Sequence, residues 1–269
     1  MDDLQVMPGR LEAFLAEAEP DATDIAVSGY EPIAGGYSRM MARFEVKWKR
    51  DGQTEIREFV LRGDPPADRE SFHTDRRVEW ELLAHLTSDG GVAVPAARYF
   101  CDGAHLGTPS IVMDFVPSTS LLSHVQGRDD LSAENARLAE VAATVHRTVP
   151  ELMPACLERP TDYDSYLTGL IGRWAAMERA HPESDPFLRY VGAWLDAHRP
   201  PPVPLSLVHG DFQSANVIVT PADEWAVVDW EFAHIGDPRE DLGYYRAVAG
   251  AAPPDVIGAD EDAFCARYR

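Results

Sequence analysis

Residues 43–50, RFEVKWKR, alternate polar and apolar, and Phe44, Val46 and Trp48 fall on one side of an extended chain. The pattern predicts a strand with one buried face. Asp51-Gly52 follows, a pair suited to the left-handed backbone of a two-residue hairpin turn. Thr54–Arg62 (TEIREFVLR) then predicts the returning strand. Upstream, Leu11, Phe14, Leu15 and Ala18 recur at helical spacing and predict a short helix over Pro8–Glu19. Strand signals run from Ile25 to Leu61. GDPPAD interrupts the sheet, and Arg69–Leu86 predicts a helix with Val78, Leu82, Leu83 and Leu86 as its stripe. Tyr99–Cys101 and Ser110–Val116 (SIVMDFV) predict two further strands. Residues 1–116 are therefore read as a small lobe of antiparallel strands and one main helix.

After Pro117 the period changes. Residues 131–148 and 161–198 carry Leu, Val, Trp and Ala at helical spacing, and RPPPVP (199–204) closes that run. Short apolar strands with small hairpins are expected around 207–229. Asp260 reads as the N-cap of a last helix that reaches Arg269 without a stop signal, so helix is expected to continue beyond it. Residues 117–269 are read as a mainly helical lobe, and the whole as a two-lobed α+β chain.

Composition narrows the function classes. The net charge of −21, from 45 acidic and 24 basic residues, argues against nucleic acid and against an anionic membrane surface. Acidity of this kind serves solubility, and secondarily a cationic ligand. Cys101, Cys156 and Cys265 are odd in number and far apart, which fits neither a disulfide framework nor a metal spacing. The acidic N-terminus lacks the features of a secretory leader, and no apolar run is long enough to cross a bilayer. A cytoplasmic setting is expected. Nothing in the pattern sets the oligomeric state.

The chemistry concentrates in LVHGDFQSANVIV, residues 207–219. Apolar strand residues flank a loop that presents His209, Gly210, Asp211 and, five positions on, Asn216. Thirteen residues later the strand Trp225–Val228 ends at Asp229. Asn216 and Asp229 offer hard oxygen ligands, which suit Mg²⁺ held against substrate phosphates. Asp211 is then free to accept a proton from an attacking hydroxyl. A structural alternative is a turn in which Asp and Asn satisfy their own backbone.

HGDFQSAN followed by VVDWEFAHIGDPREDL resembles the motif pair of the aminoglycoside phosphotransferase and choline kinase superfamily. Its members are protein-kinase-like but replace H-R-D with H-G-D and D-F-G with D-x-x. The stretches FVLRGDPP and VPAARYFCDGAHLGTPSIVMDFVPS are similar to the branch containing the kinase domain fused to certain acyl-CoA dehydrogenases. The resemblance covers roughly residues 25 to 250. It implies a two-lobed protein-kinase-like fold, ATP and Mg²⁺ as cofactors, and phosphorylation of a hydroxyl on a small molecule.

The remaining parts of such an enzyme then have candidates. Gly35 and Gly36, with Ser38 and Arg39, would form the loop over the phosphates. Arg62 stands on the third strand where protein kinases carry lysine, with Val60 on the same face to pack on adenine. Glu79 would pair with that cation, Glu81 being the alternative. Met113 would end the adenine pocket, with the Asp114 carbonyl and Val116 amide binding the base. His209 and Asp241 are read as supports of the catalytic loop, and Gly236-Asp237-Pro238 as a turn. The acceptor stays open among an aminoglycoside, a macrolide, a sugar and a hydroxyacyl compound. The rival readings are a nucleotide-binding pseudokinase or regulator, a protein kinase proper, and a metal-dependent hydrolase built from His209 and Asp211.

Overall fold

Alternation in the first third of the chain produces the sheet that carries half of the site. The computed structural model describes residues 3–33, 40–64, 74–180, 185–251 and 253–269. Among these, β1 (Thr23–Pro32), β2 (Met40–Arg50), β3 (Gln53–Gly63), β4 (Ala97–Cys101) and β5 (Ser110–Asp114) form an antiparallel sheet in the order β1-β2-β3-β5-β4. Arg50 faces Gln53, so Asp51 and Gly52 alone make the turn, both at positive φ (51° and 76°) as the hairpin requires.

The central strand β3 is buried on both faces over Phe59–Gly63. Phe59 and Leu61 join Phe44, Val46, Trp48 and Val112 under helix α1 (Asp3–Ala18), with Leu11 and Leu15. Val60 joins Met113, Leu82, Leu83 and Leu86 on the other face, beneath helix α2 (Arg76–Asp89), in a core that continues into the helical lobe through Leu138, Leu207 and Phe212. Arg62, two residues from Val60, therefore meets the boundary between the lobes.

Several boundaries differ from the sequence reading. Helix α1 begins five residues before Pro8, whose missing N–H falls near the helix start and removes one bond, and Ala18 is exposed. Helix α2 starts at Arg76 because the Asp75 side chain accepts the Arg77 and Val78 N–H groups, and Gly90 ends it in the left-handed conformation. Strand β5 stops at Asp114, although the Phe115 N–H still donates to the Glu58 carbonyl.

The second lobe carries β6 (Thr119–Ser120), α3 (Leu121–His124), α4 (Ser132–His146), α5 (Tyr163–Ala180) and α6 (Pro186–Ala197). Asp185 and Pro186 start α6, so the expected run over 161–198 is two helices. Then come β7 (Ser206–Val208), β8 (Val217–Val219), β9 (Trp225–Val227), β10 (His234–Gly236), α7 (Arg239–Ala251), α8 (Val256–Ala259) and α9 (Glu261–Tyr268). Strand β8 pairs with β9 and β6, whereas β7 pairs with β10. Gly236 thus lies in a strand and not in a turn. Asp260 caps α9 by accepting the Ala263 N–H.

Candidate active site

Strand β7 delivers the chain into the loop at His209. This side chain is fully buried, and both ring nitrogens are used: Nδ1 accepts the Asp211 N–H at 3.2 Å and Nε2 donates to the Val228 carbonyl at 2.9 Å. That network assigns the neutral Nε2–H tautomer, and burial holds the pKa below the ordinary histidine value. No lone pair is left for a metal ion, which counts against the hydrolase reading. Gly210 has φ +83°, and a Cβ there would run into the Phe232 carbonyl oxygen, so the position requires glycine.

Helix α7 clamps this loop along one face. Asp241, wholly buried, accepts the N–H groups of His209 (2.8 Å) and Gly210 (2.9 Å) and meets His146 Nε2 at 2.9 Å. Burial alone would raise its pKa, but the bonds from His146 and the His209 backbone outweigh it and hold the carboxyl below the usual range. Three and four residues on, Tyr244 reaches the Asp211 carboxylate and Tyr245 meets the Ser214 hydroxyl at 2.6 Å. Burial and the Asp211 charge push the Tyr244 phenol up to about 12.

Asp211 accepts from Gln213 Nε2 and from Asn216 Nδ2, both at 2.7 Å. Asn216 sits immediately before β8, and its carbonyl accepts the Val228 N–H at 2.9 Å. Asp229 follows at φ +69°, a left-handed backbone that aspartate tolerates better than most residues. One residue, Val228, thus ties the loops bearing Asp211, Asn216 and Asp229 to one another.

The sheet lobe contributes charge. Arg62 is 4% exposed, and its Nη2 bonds Asp229 and lies 3.5 Å from Glu231. Its Nε is 3.0 Å from Glu79 Oε1, an ion pair by distance whose N–H is not aimed at that oxygen. Burial would lower the Arg62 pKa, but Glu79 and Asp229 more than offset it, so the guanidinium stays charged. Buried Arg76 bonds the second oxygen of Glu79 and also Asp64 Oδ1, at 2.7 Å from Nη2. Glu81 lies apart, beside Cys156, where burial first and then Glu81 push the thiol up to about 11.

Val60 faces Met113 across the β3–β5 ladder. The Asp114 carboxylate is taken by Arg98 (2.9 Å from Nε), and its N–H donates to the Ala96 carbonyl. Val116 is partly buried just past β5. Gly35, Gly36, Ser38 and Arg39 lie outside the described residues. Sequence reasoning passed over Arg76 and Tyr244, and gave Glu231, part of the matching Asp229-Trp230-Glu231 string, no role. Spacing was the available signal: Arg76 is one turn before Glu79, Glu231 is two residues after Asp229, and Tyr244 is one turn after Asp241.

An antiparallel sheet lobe over a mainly helical lobe, with these loops between them, is the protein-kinase-like phosphotransferase fold. The chain belongs to the phosphotransferase enzyme family (APH), whose model matches residues 29–269. It is 30% identical over 196 residues to mouse acyl-CoA dehydrogenase family member 10, covering 70% of this chain and 18% of that protein. To human acyl-CoA dehydrogenase family member 11 it is 27% identical over 209 residues, 72% of this chain and 25% of that one. The chain thus spans a quarter or less of these relatives. Among solved structures it resembles the macrolide 2'-phosphotransferase of Brachybacterium faecium, with a TM-score of 0.65 and 23% identity over 96% of this chain and 82% of that one. An aminoglycoside phosphotransferase solved with ADP and hygromycin B gives 0.60 and 17%, covering 96% and 88%. Identities this low establish the fold alone. Among the described residues, no helix is long and apolar enough to cross a membrane.

Proposed function

We propose that this chain is an ATP-dependent kinase that phosphorylates a hydroxyl group of a small molecule. The observation that carries the reading is the convergence of Asp211, Asn216, Asp229 and Arg62 from three separate segments of both lobes. Asp211 orients the acceptor hydroxyl and takes its proton as the oxygen attacks the terminal phosphorus and the bond to the leaving phosphate oxygen breaks. Arg62 positions the phosphates, held by Glu79, and Val60 and Met113 flank the base, whose polar edge meets the backbone at Asp114 and Val116. Gly35, Gly36, Ser38 and Arg39 cover the phosphates in this reading. The donor set suits Mg²⁺: Asn216 commits its amide nitrogen to Asp211, which leaves a hard carbonyl oxygen, and Asp229 adds a carboxylate. When bound, the ion would neutralise phosphate charge. The unpaired cysteines support a cytoplasmic setting.

The test is a panel of hydroxylated compounds (aminoglycosides, macrolides, sugars and hydroxyacyl compounds) with labelled ATP, run beside Asp211→Ala. Removing the base should cut transfer by about 10²–10⁴-fold while MgATP still raises the melting temperature. Transfer that survives Asp211→Ala rejects the assignment. MgATP binding with no transfer to any compound favours the pseudokinase.

A further inference from the structure

Arg62 is bound in an unusual way for a buried guanidinium. Arginine's five donors suit bidentate recognition of carboxylate or phosphate. Here the Nε–H has no aligned acceptor, and among the described residues Nη1 meets only the Met41 sulfur at 3.8 Å. One nitrogen, Nη2, carries the contact to Asp229 and lies near Glu231. Three carboxylates, from Glu79, Asp229 and Glu231, surround this one cation, while Arg76 holds the far oxygen of Glu79. Attraction to negative charge keeps Arg62 in place, and its fork is left largely unused.

We infer that Arg62 is a resident cation that occupies the metal-ligand oxygen of Asp229, so that the metal position opens only when a polyphosphate draws the guanidinium away. The inference rests on the reading of Asp229 as a metal ligand. Its physical basis is competition: a guanidinium and a divalent ion cannot share one carboxylate oxygen at contact distance without strong repulsion. Phosphate oxygens offer Arg62 the paired acceptors that Asp229 and Glu231 do not. Once Arg62 turns to them, Asp229 and Glu231 face each other with less positive charge between them, and a divalent ion becomes the favoured partner. Metal and nucleotide are then coupled through this side chain, each raising the affinity for the other.

The experiment titrates Mn²⁺ without nucleotide, reading the free ion by electron paramagnetic resonance. The wild-type chain should bind Mn²⁺ weakly. Arg62→Met, shown to be folded by circular dichroism, should bind it about 5- to 150-fold more tightly, the range of ordinary site-to-site coupling. Arg62→Met combined with Asp229→Asn should lose that gain. Tight nucleotide-free Mn²⁺ binding by the wild type overturns the inference without any variant. Equal weak binding by wild type and Arg62→Met also overturns it, and leaves the reading of Asp229 standing provided Asp229→Asn abolishes the melting shift given by MgATP. No MgATP shift in the wild type would remove that reading, and the inference with it.

Discussion

Arg62 and Asp211 stand on opposite sides of the same site, and their surroundings differ in kind. Arg62 belongs to a chain of ions buried at its centre and half-buried at its ends, Asp64–Arg76–Glu79–Arg62–Asp229, with Glu231 beside it, and its Nε–H has no aligned acceptor. Asp211 belongs to a loop in which backbone amides, a neutral histidine and side-chain donors are paired at ordinary distances. A saturated network holds one geometry, because every change leaves a buried group unpaired. An ion cluster with donors to spare can exchange partners. The Asp211 loop is thus the more tightly fixed side, and the cation side the one with partners to exchange.

Breaking the saturated side should cost most. Asp241→Ala leaves two buried N–H groups and His146 without their acceptor, and should destabilise the fold by about 3–5 kcal/mol. Arg76→Met on the cation side should cost less, about 1.5–3 kcal/mol, since Glu79 keeps Arg62. Urea midpoints of the two variants check the order; a larger loss from Arg76→Met would reverse the comparison.

The loop side should also respond to pH through two opposed groups. Burial keeps His209 neutral when folded, so stability tied to it is lost as pH falls below the ordinary value of 6.5. Burial pushes Glu240 up to about 7 from 4.5, so stability tied to it is complete below 4.5 and lost as pH rises through 7. The two slopes oppose each other between 4.5 and 6.5. Glu240→Gln should expose the His209 slope, in which stability falls by about 1.4 kcal/mol per unit of acidification. Denaturant midpoints between about pH 5 and pH 6.5 measure it. An unchanged slope in the variant would show that these two groups do not govern the acid limb.

The smallest effect expected is on the support of Glu79. Asp75→Ala removes the cap of α2 and should cost about 1 kcal/mol. A thermal melt reads this directly, and a loss near that of Arg76→Met would mean that the cap, not the ion pair, holds the helix.

How far the sequence shows these features depends on how much pattern each element carries. Strands β2 and β3 run for 11 residues each, long enough for period-two alternation to stand out, and Asp51-Gly52 marks their turn. The spacing of Asp211, Asn216 and Asp229 was legible because it is local. Strands β7 and β10 have three residues each, too few to reveal that they pair with each other. The start of α2 was misplaced because charged residues from Arg69 onward suit a helix as well as a loop, and only the side-chain cap of Asp75 decides. Arg76 and Tyr244, and the role of Glu231, were missed for another reason. A charged or phenolic side chain on a helix or loop is ordinarily solvated, and its role appears only when a distant segment folds against it.

Val228 has one further consequence. Its amide and carbonyl tie Asn216 and His209 to the strand end before Asp229, so exchanging the Asp229 side chain leaves that tie in place. The Asn216 amide, by contrast, bonds both the backbone carbonyl and the carboxylate of Asp211, and an exchange at either of these two loosens the loop. A loss of transfer on exchanging Asp229 would therefore read chemistry more cleanly than a loss on exchanging Asp211 or Asn216, where loop disorder adds to it.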